Sequence, residues 1–268
     1  PTVTSAETQD QDGNGKIDAI KLTFSENIND SMLTTGADGW DVADPAGSES
    51  IGTCDTTNDN ILLLSFGQGP TPDSGNTPTV TYTATGGTGS THDAAGNELA
   101  SLSTVASDGA LPVILSAETQ DINSNGKIDA IKLTFSEDIK DSSLSKGNAD
   151  GWNVVDYGGE AIDTGSTDDD NILLLTITEG SSYDVDTAPV IRYINSNDLN
   201  STHDIADNQL ATLEKITTDK AAPTKPIADP VGADYNNDQS VTLTAETGAQ
   251  IRYTTDGTTP TDTVGTVY

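Results

Sequence analysis

Asp10, Asp12 and Asn14 place side-chain oxygens at alternate positions of one short loop, and Gly15, Lys16, Ile17 and Asp18 follow directly. That pattern suits a hard divalent cation. Alternate oxygens converge on one ion, Gly15 permits a tight turn, Lys16 offers its backbone carbonyl, Ile17 plugs into a core and Asp18 adds a second-side carboxylate. With oxygen donors and neither His nor Cys in the loop, calcium is expected over a transition metal. The same spacing returns as Asp121, Asn123, Asn125, Gly126, Lys127, Ile128 and Asp129.

The pattern matches the first nine positions of an EF-hand-type loop and then departs from it. The twelfth position is Lys21, where an EF-hand carries a bidentate glutamate, and a strand pattern follows where a helix would begin. The remaining oxygens must come from Asp18, from water, or from an acid near a module boundary such as Asp108 or Asp219. The second loop exchanges one carboxylate for the amide of Asn123, so it is expected to bind more weakly unless Asp108 contributes. An ion-free alternative is an Asx-rich hairpin turn.

These loops belong to a long tandem repeat. Residues 1–111 and 112–222 run in parallel at an offset of 111, with SAETQD at Ser5 and Ser116 and GKIDAIKLTFSE at Gly15 and Gly126. ADGW, DNILLL and STHD recur as well, with a one-residue insertion near Asn148 compensated by about Gly159. A unit of this length can close its own core, which marks a module rather than a solenoid turn.

Each unit reads as all-β. Apolar and polar residues alternate from Ala19 to Phe24, putting Ile20, Leu22 and Phe24 on one face and Lys21, Thr23 and Ser25 on the other. Further strands are expected at GWDV from Gly39, at a more fully buried ILLLSF from Ile61, and at TVTYTA from Thr79. The only helical signal is one turn at Asp30 to Leu33 and its copy, Asp141 to Leu144. Residues 223–268 form a separate segment with legible strands at Ser240 to Ala245 and Gln250 to Thr254. Its short length leaves a sandwich incomplete, so either its remaining strands were cut away or another chain supplies them.

Composition narrows the function. The formal net charge is -32, with 33 Asp against 10 Glu, so acid sits in turns and loops more than on helix faces. Such a surface repels nucleic acid and anionic lipid. Leu, Ile, Val and Phe make up about a fifth of the chain. They nevertheless fall in matching alternating runs, which a disordered chain lacks. Cys54 is the only cysteine and its repeat partner is Gly165, which excludes a disulfide framework. No stretch is long and apolar enough to span a bilayer, and no signal-peptide pattern opens the chain. The chain therefore reads as a piece of a longer exported protein. Trp40 and Trp152 are expected to anchor cores, and His92 and His203, each in THD, to cap turns.

With SAETQD, DGNGKIDAIKLTFSENI and HDAAGNELA (HDIADNQLA in the second copy), residues 1–222 resemble the bacterial Ig-like domains of S-layer proteins and large adhesins. Through SVTLTAETGAQIRYTTDGTTPT, the third segment resembles the Ig-like domain at the C-terminus of chitobiase and related hexosaminidases. That is an accessory module, so no catalytic residue is carried over. The resemblance implies tandem Ig-like β-sandwiches arranged end to end. The leading expectation is a non-enzymatic, calcium-stabilised array from a prokaryotic cell surface: S-layer, adhesin stalk or extracellular filament. Its partners would be neighbouring modules, other copies of itself, or a surface or polysaccharide ligand. The rival is the spacer or carbohydrate-binding region of a secreted polysaccharide-degrading enzyme. A hydrolase built on paired Asp is disfavoured, because Asp-rich turns do not make a cleft. The joint Asp108-Gly109-Ala110-Leu111-Pro112 is too short for a free tether, which predicts rigid stacking.

Overall fold

Strands form wherever alternation puts a β-branched or aromatic residue on every second position, and the sheets follow from pairing those strands over one apolar face. A computed structural model of the chain describes all residues except 30–32, 34–38, 44–51, 54–57, 88, 164–167, 183, 198–199 and 246–247. The helical turn expected at Asp30 to Leu33 and the residue Cys54 lie outside the described residues, Leu33 aside. The copy of that turn is a 3-10 turn at Asp141–Ser143. Apart from it, the described regular structure is all strand.

In the first repeat, β1 (Val3–Gln9), β2 (Ala19–Phe24), β4 (Gly52–Thr53) and β5 (Ile61–Ser65) make one antiparallel sheet in the order β1-β2-β5-β4. A second sheet, β3-β6-β7, is made by β3 (Trp40–Ala43), β6 (Thr79–Tyr82) and β7 (Leu102–Val105). The second repeat lays out β8 (Ile114–Gln120), β9 (Ala130–Phe135), β11 (Gly158–Ile162) and β12 (Ile172–Thr178) in the order β11-β12-β9-β8. Opposite them, β10 (Trp152–Val154), β13 (Val190–Tyr193) and β14 (Leu213–Ile216) form β10-β13-β14.

Each pair of sheets encloses its own core. Ile20, Leu22 and Phe24 meet Trp40, Val42, Val80 and Tyr82 in one; Ile131, Leu133 and Phe135 meet Trp152, Val154, Ile191 and Tyr193 in the other. The indoles lie 4.7 and 4.6 Å from Tyr82 and Tyr193, centroid to centroid, in tilted stacks. The ILLLSF run departs from the expected full burial. It is pleated, so Leu62, Leu64 and Phe66 enter the core while Ile61 and Leu63 stay half-buried on the outer face.

The STHD motif ties down the Trp–Tyr pair of the three-stranded sheet. Trp40 Nε1 donates to Thr91 Oγ1 at 2.8 Å, and the Thr91 amide donates to Tyr82 Oη at 3.0 Å; Trp152, Thr202 and Tyr193 repeat this at 3.1 and 2.8 Å. His92 and His203 bond through Nδ1 to the carbonyls of Ser90 and Ser201, both at 2.6 Å. A buried ring nitrogen satisfied within its own turn serves the fold.

The third segment is different in kind. It holds two separately paired hairpins, β15 (Ile227–Asp229) with β16 (Thr242–Thr244) and β17 (Arg252–Tyr253) with β18 (Thr266–Val267). The strands are shorter than the alternation suggested, and among the described residues none after Ala221 is buried. Ile227, Val231, Val241, Val264 and Val267 are all exposed. Two-stranded ribbons without a covered apolar face have little to hold them.

The joint between the repeats is bonded on both sides. The amides of Gly109 and Ala110 donate to Thr8 Oγ1 at 3.0 and 3.3 Å, Val113 N donates to Ser136 Oγ at 3.0 Å, and Ser74 Oγ donates to that same hydroxyl at 2.7 Å. Thr8 and Ser74 belong to the first repeat and Ser136 to the second, so Thr8 fastens the linker while the Ser136 hydroxyl joins the first repeat to the start of the second.

Candidate metal centres

The first loop folds around Asp10. Its Oδ1 accepts the amides of Gly13 and Asn14 at 2.8 and 3.2 Å, and its Oδ2 accepts Gly15 N at 2.7 Å. Glycine is required at position 15 twice over. Its φ is +85°, and a Cβ there would sit 2.7 Å from Ser136 Cβ of the second repeat. The loop therefore abuts the neighbouring module.

Asp10, Asp12 and Asp18 bring carboxylate oxygens within 4.8 Å of one another. Asp18 Oδ1 accepts Gln11 N at 3.0 Å. Burial holds the Asp18 carboxyl above its ordinary range despite that hydrogen bond, and the charges of Asp12 and Asp10 push the same way. The expected ligand Asn14 lies beside this trio, its amide nitrogen 3.0 Å from Asp12 Oδ2. Lys16 is half-buried, with Nζ donating to the Pro70 carbonyl at 3.2 Å, and Ile17 is in the core.

Two residues bracing this loop were not legible in the sequence. Gln68 bridges Asp12 Oδ2 and Asp18 Oδ2 through Nε2 at 3.2 and 3.3 Å, and Asp73 Oδ1 accepts Ile17 N at 2.8 Å. Both come from the Gly/Pro-rich stretch before β6, 50 residues or more away in sequence.

In the second loop, Asp121 accepts the amides of Asn125 and Gly126 at 3.1 and 2.8 Å, and Asp129 accepts those of Ile122 and Asn123 at 2.9 and 3.2 Å. Asn123 and Asn125 both donate to Glu179, at 2.5 and 2.9 Å, and these bonds hold the Glu179 carboxyl below its usual range. Lys127 N donates to Asn125 Oδ1 at 3.0 Å. Glu179 stands where the first repeat has Gln68, and Asp184 takes the place of Asp73, accepting Ile128 N at 2.7 Å. The carboxylate lost at Asn123 is thus restored at Glu179. Unlike the first loop, Asp121, Asp129 and Glu179 do not bring three oxygens within 4.8 Å.

Asp108 sits apart from both loops. It joins Glu137 and Asp204 in a second cluster whose oxygens also lie within 4.8 Å of one another. Asp204 is held in the HDIADN turn by Asn208, whose N and Nδ2 donate to its two oxygens at 2.8 and 2.9 Å. Burial pushes the Glu137 carboxyl up to about 9, with the charges of Asp108 and Asp204 adding to it. Burial, then the Asp204 charge, raises Asp108 to about 6. Asp219, the repeat equivalent of Asp108, accepts Thr119 Oγ1 at 3.3 Å.

Residues 230–268 match the family model of the chitobiase/beta-hexosaminidase C-terminal domain. No curated protein matches the chain by sequence. Among solved structures, the chain is similar to surface layer protein SbsC, domains 1-6, at 12% identity and a TM-score of 0.28. That alignment covers 94% of this chain and 46% of the other, so the chain spans under half the length of that structure.

Proposed function

We propose that the chain is a non-enzymatic structural array from a prokaryotic cell-surface protein, whose modules calcium stiffens. The observation that carries this reading is the bonded joint, in which Thr8, Ser74 and Ser136 fasten the linker to two sandwiches with separate cores. A chain built to hold its modules in fixed succession transmits force or sets spacing. The resemblance of both repeats to S-layer and adhesin modules supports the same reading. The carboxylates of Asp10, Asp12 and Asp18 repel one another across less than 4.8 Å. Calcium would remove that repulsion, recruiting Asp10, Asp12, Asp18, Asn14 and the Lys16 carbonyl in the first loop. In the second, Asp121, Asn123, Asn125, Asp129 and the Lys127 carbonyl would be joined by Glu179. Since the first loop abuts the second module at Ser136, an ion there would brace the joint as well.

Small-angle scattering of the full chain tests the reading. An extended particle in calcium that becomes more variable in chelator is expected; a folded-back globule indifferent to calcium refutes it.

The rival, an accessory region of a secreted polysaccharide-degrading enzyme, draws on the family match of residues 230–268. It also draws on Tyr235, Tyr253 and Tyr268, all exposed in the third segment, while Trp40 and Trp152 are buried. Retention of the chain on insoluble chitin, lost when these tyrosines become alanine, would favour it.

A further inference from the structure

The joint between the repeats sets two buried carboxylates, Glu137 and Asp204, beside the half-buried carboxylate of Asp108. Glu137 is 9% exposed and Asp204 is 1% exposed. Glu137 Oε1 is buried and has no hydrogen-bond partner. Among the described residues no lysine, arginine or histidine forms an ion pair with Asp108, Glu137 or Asp204, and Lys140 is taken by Asp207 at 2.8 Å. A buried acid without a counter-charge is costly, and an acid set beside two others is more so. The first repeat covers Glu137 directly: a Cβ at Gly75 would sit 3.0 Å from Glu137 Cβ and 3.1 Å from its Oε2. The neighbouring module therefore takes part in burying it.

We propose that Asp108, Glu137 and Asp204 form a calcium site shared between the two modules, with Glu137 Oε1 as a ligand. The three ligand oxygens lie within 4.8 Å of one another, and oxygens on opposite sides of one calcium ion are about 4.6–5.2 Å apart. Magnesium, with shorter bonds and a stricter octahedron, fits that spread less well. The free coordination positions face a cleft of about 280 Å³ between Asp108, Glu137, Asp138 and the 72–76 turn, which is roomy enough for water. Asp108 closes the first module through Thr8 and the Ala110 amide, while Glu137 and Asp204 belong to the second. An ion held by all three ties the modules together directly. The site uses none of the loop ligands, so it goes beyond the loop assignment above and stands or falls separately.

Calorimetric titration of the full chain with calcium chloride at neutral pH tests it. The variants are Glu137→Gln and a loop variant carrying Asp10→Ala and Asp121→Ala. Glu137→Gln is expected to lose one binding event, at least tenfold weakened, and to keep the loop events; the loop variant should do the reverse. In chelator, Glu137→Gln should melt no lower than wild type, since the Gln amide replaces the donor that a protonated Glu137 supplies without its cost of ionisation, and only the calcium-dependent rise in Tm should shrink. A purely structural role would instead lower the chelator melt. Unchanged stoichiometry and affinity in Glu137→Gln overturns the proposal and leaves the loop sites standing. Calcium binding only at the junction does the opposite, and no binding at all sinks both. Should Glu137→Gln fail to fold, Asp108→Asn reads the same site from the linker and must lose the same event.

Discussion

The two repeats share a backbone plan but distribute their acids differently, and the differences fall where tertiary contacts are made. The first loop has Asp12 facing Gln68; the second has Asn123 facing Glu179. Carboxylate and amide have changed places across a contact between segments 56 residues apart in sequence. Glu137 is packed against the 74–75 turn of the first repeat, so its burial depends on the neighbouring module. Repetition of sequence therefore fixes the sandwich twice without fixing the chemistry twice. What a side chain does depends on which element arrives opposite it.

The likeness of the cores should survive the harshest test. Leu22→Ala and Leu133→Ala remove equivalent, fully buried side chains and should each cost about 2–5 kcal/mol in chemical denaturation. A cost confined to one of the two would break the equivalence of the modules.

The acid exchange between the loops predicts a rescue. Asp12→Asn should weaken calcium binding at the first loop roughly tenfold or more, since affinity follows ligand charge. Adding Gln68→Glu to it recreates the second loop's arrangement and should recover most of the loss in titration calorimetry. A double variant as weak as the single one would show that the exchange is not compensatory.

The junction acids should show in the pH response when chelator removes divalent ions. Glu137 and Asp108, raised to about 9 and about 6, hold protons in the folded chain that the unfolded chain gives up in the ordinary carboxylate range. Their stabilising contribution is full at acid pH and is lost as pH rises through about 6 and then about 9. The Tm in chelator should therefore fall between mildly acid and alkaline pH. Glu137→Gln should flatten the upper part of that fall. An unchanged profile in Glu137→Gln would mean that the junction does not set it.

The smallest effect concerns backbone. Gly13 has φ +71° with nothing within 4 Å of a Cβ, and Ser124 occupies the equivalent position at φ 59°. Gly13→Ser should change stability by under about 1 kcal/mol, because the second repeat already carries that residue in that conformation.

The alternation in AIKLTF was enough to place Ile20, Leu22 and Phe24 inside, because a pleated strand has only two faces and one must be dry. The grouping of Asp10, Asp12 and Asp18 was likewise legible, since the three lie in one short loop and local geometry limits how far apart they can point. Local sequence also specified the turns that hold them, through glycine at position 15 and the Asp10 carboxylate. Gln68, Glu179, Asp73 and Asp184 could not be read in this way. They reach the loops across 50 residues or more, and nothing in their own neighbourhoods distinguishes them from other polar loop residues. The recurring TFSE and HD motifs marked Glu137 and Asp204 as repeated residues, but their burial beside Asp108 depends on how one module seats on the next. Strand periodicity and loop spacing are short-range properties that the chain carries in its order of residues. Desolvation of a carboxylate is a property of everything packed around it, and only the assembled pair of modules supplies that.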